Sequence, residues 1–169
     1  MVLLQQEDYW LSDRIMGFAS AVLKSQYQVD GVFDTLKQNG KGKNGFRFVK
    51  GNTCQILHIN SNHWVLAARR DGIIYLFDSL QVLKHPLCHQ VVPHLAMLFC
   101  NNEELRTDLI QIPPCQPQTN LTNCGLFAIA FAESFLRGDD PSKSKFQEKM
   151  MRYHLYECLF RFGYIMKFP

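Results

Sequence analysis

Residues 124–136, Cys-Gly-Leu-Phe-Ala-Ile-Ala-Phe-Ala-Glu-Ser-Phe-Leu, constrain this chain more than any other stretch. Wound as a helix, the first three turns are apolar on nearly every side, and such a helix belongs at the centre of a domain. The rest of the chain must therefore wrap around it. Gly138 and Pro141 stop the helix, and a polar run, Gln-Thr-Asn-Leu-Thr-Asn at 118–123, leads into it. Cys124 stands on the boundary. It is either the first core residue, since free cysteines commonly behave as small buried hydrophobes, or a nucleophile. In the second case the positive end of the helix dipole and unpaired backbone N–H groups favour a thiolate. Asn123 is then expected to cap the helix, and Gly125 to allow close approach of backbone or substrate.

The elements that enclose this helix follow from pattern. Leu11, Ile15, Phe18, Ala19, Val22 and Leu23 have amphipathic spacing, with Ser12 or Asp13 available as cap. A short helix is expected within 30–38, and the glycine- and lysine-rich 39–45 reads as a solvated loop. Residues 54–59, 64–69 and 73–80 are short β-rich runs. Arg-Asp-Gly at 70–72 joins the second and third as a tight hairpin. Residues 85–100 read as a helix kinked or split by Pro93, 108–114 as a fourth strand ended by prolines, and 142–162 as a last amphipathic helix. The expected fold is a single α+β domain over 1–169, with a central, mostly antiparallel sheet beside the buried helix.

At 169 residues, with 47% apolar and 20% charged side chains, the chain can bury a core without staples. A net charge of +3 gives no support to phosphate-driven nucleic-acid binding. No apolar run is long enough for a membrane span, and Met-Val-Leu-Leu-Gln-Gln-Glu-Asp does not read as a signal peptide. The six cysteines are thus expected as free thiols in the cytoplasm or nucleus, on a monomer, and the sequon at Asn120 is expected to stay unused.

A thiol nucleophile needs a histidine to take its proton and usually an acid to orient that histidine. Among six histidines, His63 sits where a polar loop enters the second strand. There it is either a surface loop residue or a ring projecting from the sheet edge. Asp78 closes an apolar strand, which is unexpected for a carboxylate without a partner. If the hairpin forms, His63 and Asp78 share one end of adjacent strands; alternatively Asp78 caps the next turn. Gln118, six residues before Cys124, has an amide N–H that can join the Cys124 backbone N–H as an oxyanion hole. A rival site is a zinc centre at His85, Cys88, His89 and His94, but their spacing matches no zinc motif and a helix surface explains them. Metal and cofactor are both expected to be absent.

Taken together, His63-Trp64, Asp78-Ser79-Leu80 and Gln118 to Gly125 resemble the hallmarks of the SUMO- and NEDD8-specific cysteine proteases. That family shares its fold with the adenoviral protease, and its motifs are His-Trp, Asp-Ser-Leu and Gln-x-Asn-x-x-Asp-Cys-Gly. Trp10-Leu11-Ser12-Asp13 resembles its Trp-Leu-Asn-Asp, so the likeness spans nearly the whole chain. The resemblance implies a His63-Asp78-Cys124 triad with Gln118 at the oxyanion. It also implies that Trp10 and Trp64 cover a Gly-Gly tail and that Asp13 contacts it. Trp64 reads equally as a core residue on a strand. Asn123 stands for the usual Asp and Ser12 for the usual Asn, and neither change touches a catalytic role. The implied partner is a ubiquitin-like modifier (SUMO, NEDD8 or ubiquitin) and its conjugates. Two other functions on such a scaffold are an inactive modifier-binding relative and an acyltransferase. The basic stretch with Lys37, Lys41, Lys43, Arg47 and Lys50 is either part of a modifier-binding surface or a solvated loop.

Overall fold

A computed structural model of the chain describes residues 9–40, 44–59, 62–83, 89–101 and 103–169. Among the described residues, four α-helices frame a four-stranded sheet: α1 (Asp13–Tyr27), α2 (Val92–Phe99), α3 (Cys124–Leu136) and α4 (Glu148–Glu157). The strands are β1 (Thr53–Ile59), β2 (His63–Arg70), β3 (Ile73–Phe77) and β4 (Ile110–Gln111), in that spatial order. β1–β2 and β2–β3 are antiparallel, and only the short β4 runs parallel to β3. This is the expected α+β architecture. The hairpin forms at the predicted turn, where Asp71 (φ 52°) and Gly72 (φ 84°) are both left-handed, the pattern of a type I′ turn.

Both faces of the sheet are covered, which explains why its strands read as nearly continuous apolar runs. On one face Trp64, Leu66 and Ala68 of β2 join α1, α3 and α4 in the larger core. On the other, Val65 and Ala67 join Leu95, Leu98 and Phe99 of α2. Helix α3 is buried from Cys124 to Phe135. Its C-terminal end is held by Arg70, which donates to Phe135 O (2.9 Å) in the last turn and to Asp139 O (3.1 Å) just beyond it, fixing the helix against the end of β2.

Several local expectations need correction. Pro93 neither kinks nor splits a helix but lies in the first turn of α2, where its missing N–H costs nothing. Residues 35–39 form a 3₁₀ helix, capped by Asp34 through Leu36 N–H. Ser12 occupies the N-cap position of α1 without a side-chain bond, and Asp13 instead supplies negative charge in the first turn. His85, Cys88, Lys41 and Lys43 lie outside the described residues. Among the described ones, no cluster could hold a metal ion, and His94 bonds Gln38 and packs edge-on to Phe46. Five described cysteines are free, and no described helix is long and apolar enough to cross a membrane.

Gly125 marks where α1 presses on the buried helix. An added Cβ would lie 3.0 Å from Met16 Sδ and 3.2 Å from Leu11 Cβ and Cδ1. Gly125→Ala improves helix propensity by about 1 kcal/mol, but overpacking against the buried Met16 and Leu11 costs about 1–3 kcal/mol. The clash wins by a small margin. The expected result is a melting temperature lowered by about 2–4 °C, measured by thermal denaturation.

Candidate active site

The ends of three elements meet at one place. His63 is the first residue of β2, Asp78 follows the last residue of β3, and Cys124 opens α3. His63 Nε2 lies 2.7 Å from Asp78 Oδ1, with both side chains buried. The carboxylate is held rigidly: Oδ1 also accepts Leu80 N–H (2.9 Å), and Oδ2 accepts Leu83 N–H (2.8 Å). Because a carboxylate only accepts, neutral His63 must carry its proton on Nε2. Nδ1 is then the basic atom. It is buried and has no hydrogen-bond partner among the described residues.

Burial opposes charge on the His63 ring. The Asp78 hydrogen bond, the interaction with Cys124 and the charges of both outweigh it and raise the ring to about 9. For Asp78, burial acts against ionisation, but His63 and the Leu83 and Leu80 N–H groups hold the carboxyl below its ordinary range. A pair so coupled is a functional-site signature.

Cys124 is 0% exposed, and its thiol points to Asn62 O, an acceptor 3.9 Å away. His63, expected at a surface edge, is also buried. An acyl carbon therefore reaches the thiol only when the side chains around it move. Asn123 does not cap α3, contrary to expectation. Its backbone (φ −92°, ψ 3°) is outside the extended region usual for a cap, and its side chain bonds Glu148 and Arg152. The Asn123 side chain therefore does not engage the first-turn N–H groups of α3, the positive end of the helix.

Gln118 is fixed by a residue that sequence reading left without a role. Ser79 Oγ donates to Gln118 Oε1 (2.6 Å) and Ser79 O accepts Gln118 N–H (3.0 Å). The serine after the acid therefore orients the amide, and its signal was its adjacency to Asp78. One Nε2 hydrogen goes to Asn120 O (2.5 Å), and an amide NH₂ has a second hydrogen to donate. Asn120 Oδ1 in turn accepts Thr122 and Asn123 N–H, shaping the loop into the helix.

The two tryptophans have different surroundings. Trp10 is 52% exposed, and its indole N–H donates to Leu121 O (2.8 Å), so it lies beside the loop that precedes Cys124. Trp64 is 3% exposed and stacks on His58 with centroids 4.2 Å apart, a core residue next to His63. Asp13 is exposed at the start of α1.

A rigid carboxylate orienting an imidazole beside a thiol at a helix N-terminus suits nucleophilic acyl transfer. On this fold it marks the class of cysteine peptidases. The chain belongs to the Ulp1 protease family, whose C-terminal catalytic domain matches residues 36–158. The SUMO protease Ulp1 with its catalytic cysteine oxidised to a sulfenic acid is similar in structure, with TM-score 0.66 and 14% identity over 90% of this chain and 78% of that one. The Ulp1 protease domain in complex with Smt3, the yeast orthologue of SUMO, gives TM-score 0.63 and 15% identity over 89% and 76% of the two chains. The Xanthomonas campestris effector XopD bound to ubiquitin gives 0.57 and 13% over 90% and 92%. At these identities the likeness is one of fold. No curated protein matches the sequence significantly.

Proposed function

We propose that this domain is a thiol protease and isopeptidase cleaving after the C-terminal Gly-Gly of a ubiquitin-like modifier. The observation that carries the reading is the His63–Asp78 contact of 2.7 Å, which leaves a buried, unengaged Nδ1 beside Cys124. Family membership supports peptidase chemistry, and similar folds are solved with Smt3 and with ubiquitin. The thiol of Cys124 gives its proton to His63 Nδ1, and its sulfur attacks the carbonyl of the terminal glycine. Asp78 stabilises the imidazolium that forms. The oxyanion is met by the Cys124 N–H and the remaining Gln118 amide hydrogen. His63 then protonates the leaving lysine amine, or the next residue of a precursor, and water hydrolyses the thioester. Trp10 and Trp64 flank the path of the tail, Asp13 contacts it, and the enzyme works as a monomer without cofactor in cytoplasm or nucleus.

The test is a panel of SUMO, NEDD8 and ubiquitin, each bearing a thiol-reactive group at its terminal glycine. A covalent adduct with one of them, lost in Cys124→Ala, is expected; an unreactive wild-type protein across the panel sinks the reading. On the modifier captured, Gln118→Ala is expected to lower kcat by about 10²- to 10³-fold with little change in binding. Equal losses in both would remove Gln118 from the oxyanion hole.

A further inference from the structure

Behind Cys124 lies a polar network that the steps above do not use. Asn123, one residue before the thiol, is buried, and both ends of its carboxamide are held from α4. Its Nδ2 donates to Glu148 Oε1 at 2.8 Å, and its Oδ1 accepts from Arg152 Nε and Nη2 at 3.1 and 2.9 Å. Glu148 and Arg152 are four residues apart and so share a face of the helix. Both reach further. The two Glu148 oxygens lie 3.2 and 3.0 Å from Thr119 N, and Arg152 Nη2 donates to Thr122 O (3.4 Å) and Tyr9 O (2.6 Å). Tyr9 precedes Trp10, whose indole holds Leu121 O.

We infer that Glu148 and Arg152 are positioning residues that set the 118–123 loop and Cys124 in register. Arg152 also ties the Trp10 segment to them. The inference rests on the peptidase reading of the site. Its force lies in donor and acceptor matching. Glu148 is a pure acceptor facing two donors, Thr119 N–H and Asn123 Nδ2. An amide at 148 must turn its NH₂ towards one of them. A carboxylate at 123 must lie against the Glu148 carboxylate, like charge on like. The two residues are therefore exchangeable only together. With Asn123→Asp and Glu148→Gln combined, the amide oxygen accepts Thr119 N–H and its NH₂ donates to the carboxylate. That carboxylate still accepts from Arg152. A scaffold that merely fills space would not show this reciprocity.

The loop carries Gln118 and ends at the Cys124 N–H, so its displacement lowers kcat rather than binding. The test uses the full chain and a fluorogenic C-terminal amide of whichever modifier the wild type captures. Asn123→Asp and Glu148→Gln are each expected to lower kcat about 10- to 100-fold with KM nearly unchanged. The double variant is expected to return to within about threefold of wild type. Losses that multiply in the double variant, or single variants with wild-type kcat, overturn the inference. If no modifier is turned over, the peptidase reading fails separately, and the alkylation rate of Cys124 by iodoacetamide reads the same pattern without substrate. If a single variant does not fold, Arg152→Lys keeps the charge without the fork. It is expected to lower kcat about tenfold and, by freeing Tyr9 and Trp10, to raise KM; unchanged kinetics would overturn the role.

Discussion

With His63 replaced by alanine, kcat/KM on the captured modifier is expected to fall by about 10⁴- to 10⁶-fold, because residues of such a triad act as a unit. Two facts about the ring set this magnitude. Nδ1 is the base of the proposed mechanism, buried and with no hydrogen-bond partner among the described residues. The ring is also the group through which Asp78 acts, at 2.7 Å, so its removal disconnects the acid as well. Modifier binding should change little, since His63 is buried and offers little surface to a partner. Steady-state kinetics paired with equilibrium binding of the intact modifier would check this. A loss below about tenfold would mean that some other base serves Cys124, contrary to the geometry.

Much of the architecture was legible because it follows from local chemistry. The apolar surround of residues 124–136 does place α3 at the centre, and Arg-Asp-Gly does make the hairpin that brings Asp78 to the His63 end of the sheet. What was not legible depends on partners distant in sequence. Asn123 has ideal capping chemistry, yet Glu148 and Arg152, some 25 residues on, compete for its side chain and win. Trp64 reads equally as core or as tail cover, and its stacking on His58, opposite it on β1, was not legible because that partner is set by strand register. The orientation of Gln118 depends on Ser79, 39 positions away. The place of Pro93 in the first turn of α2 was not legible because periodicity alone does not locate the start of that helix, and at a first turn proline is compatible with a helix. Burial of Cys124 was one of two open readings, and the choice depends on groups as distant in sequence as Asn62, whose carbonyl lies 3.9 Å from the thiol.

Asp78→Asn is expected to lower kcat by about 10³- to 10⁴-fold and to move the alkaline limb of the pH profile downwards. In the native site Oδ1 accepts from His63 and Leu80, and Oδ2 accepts from Leu83. An amide cannot accept on both sides. If its NH₂ faces Leu83 N–H, His63 keeps its tautomer but loses the negative charge that favours the imidazolium. If it faces His63, the ring must place its proton on Nδ1, where it can no longer take one from the thiol. Either way the ring falls from about 9 towards its ordinary 6.5, and the active pH range contracts from the alkaline side. Stability should follow by linkage. A histidine raised on folding contributes stability that is fully present below about 6.5 and is lost as pH rises through about 9. A carboxyl depressed on folding contributes stability present above its ordinary 3.8 and lost as pH falls through its lowered value. The melting temperatures of wild type and Asp78→Asn should therefore differ most between about pH 4 and 6.5 and converge as pH approaches 9. A difference independent of pH would show that Asp78 stabilises the fold through Leu80 and Leu83 alone, with His63 uncharged throughout.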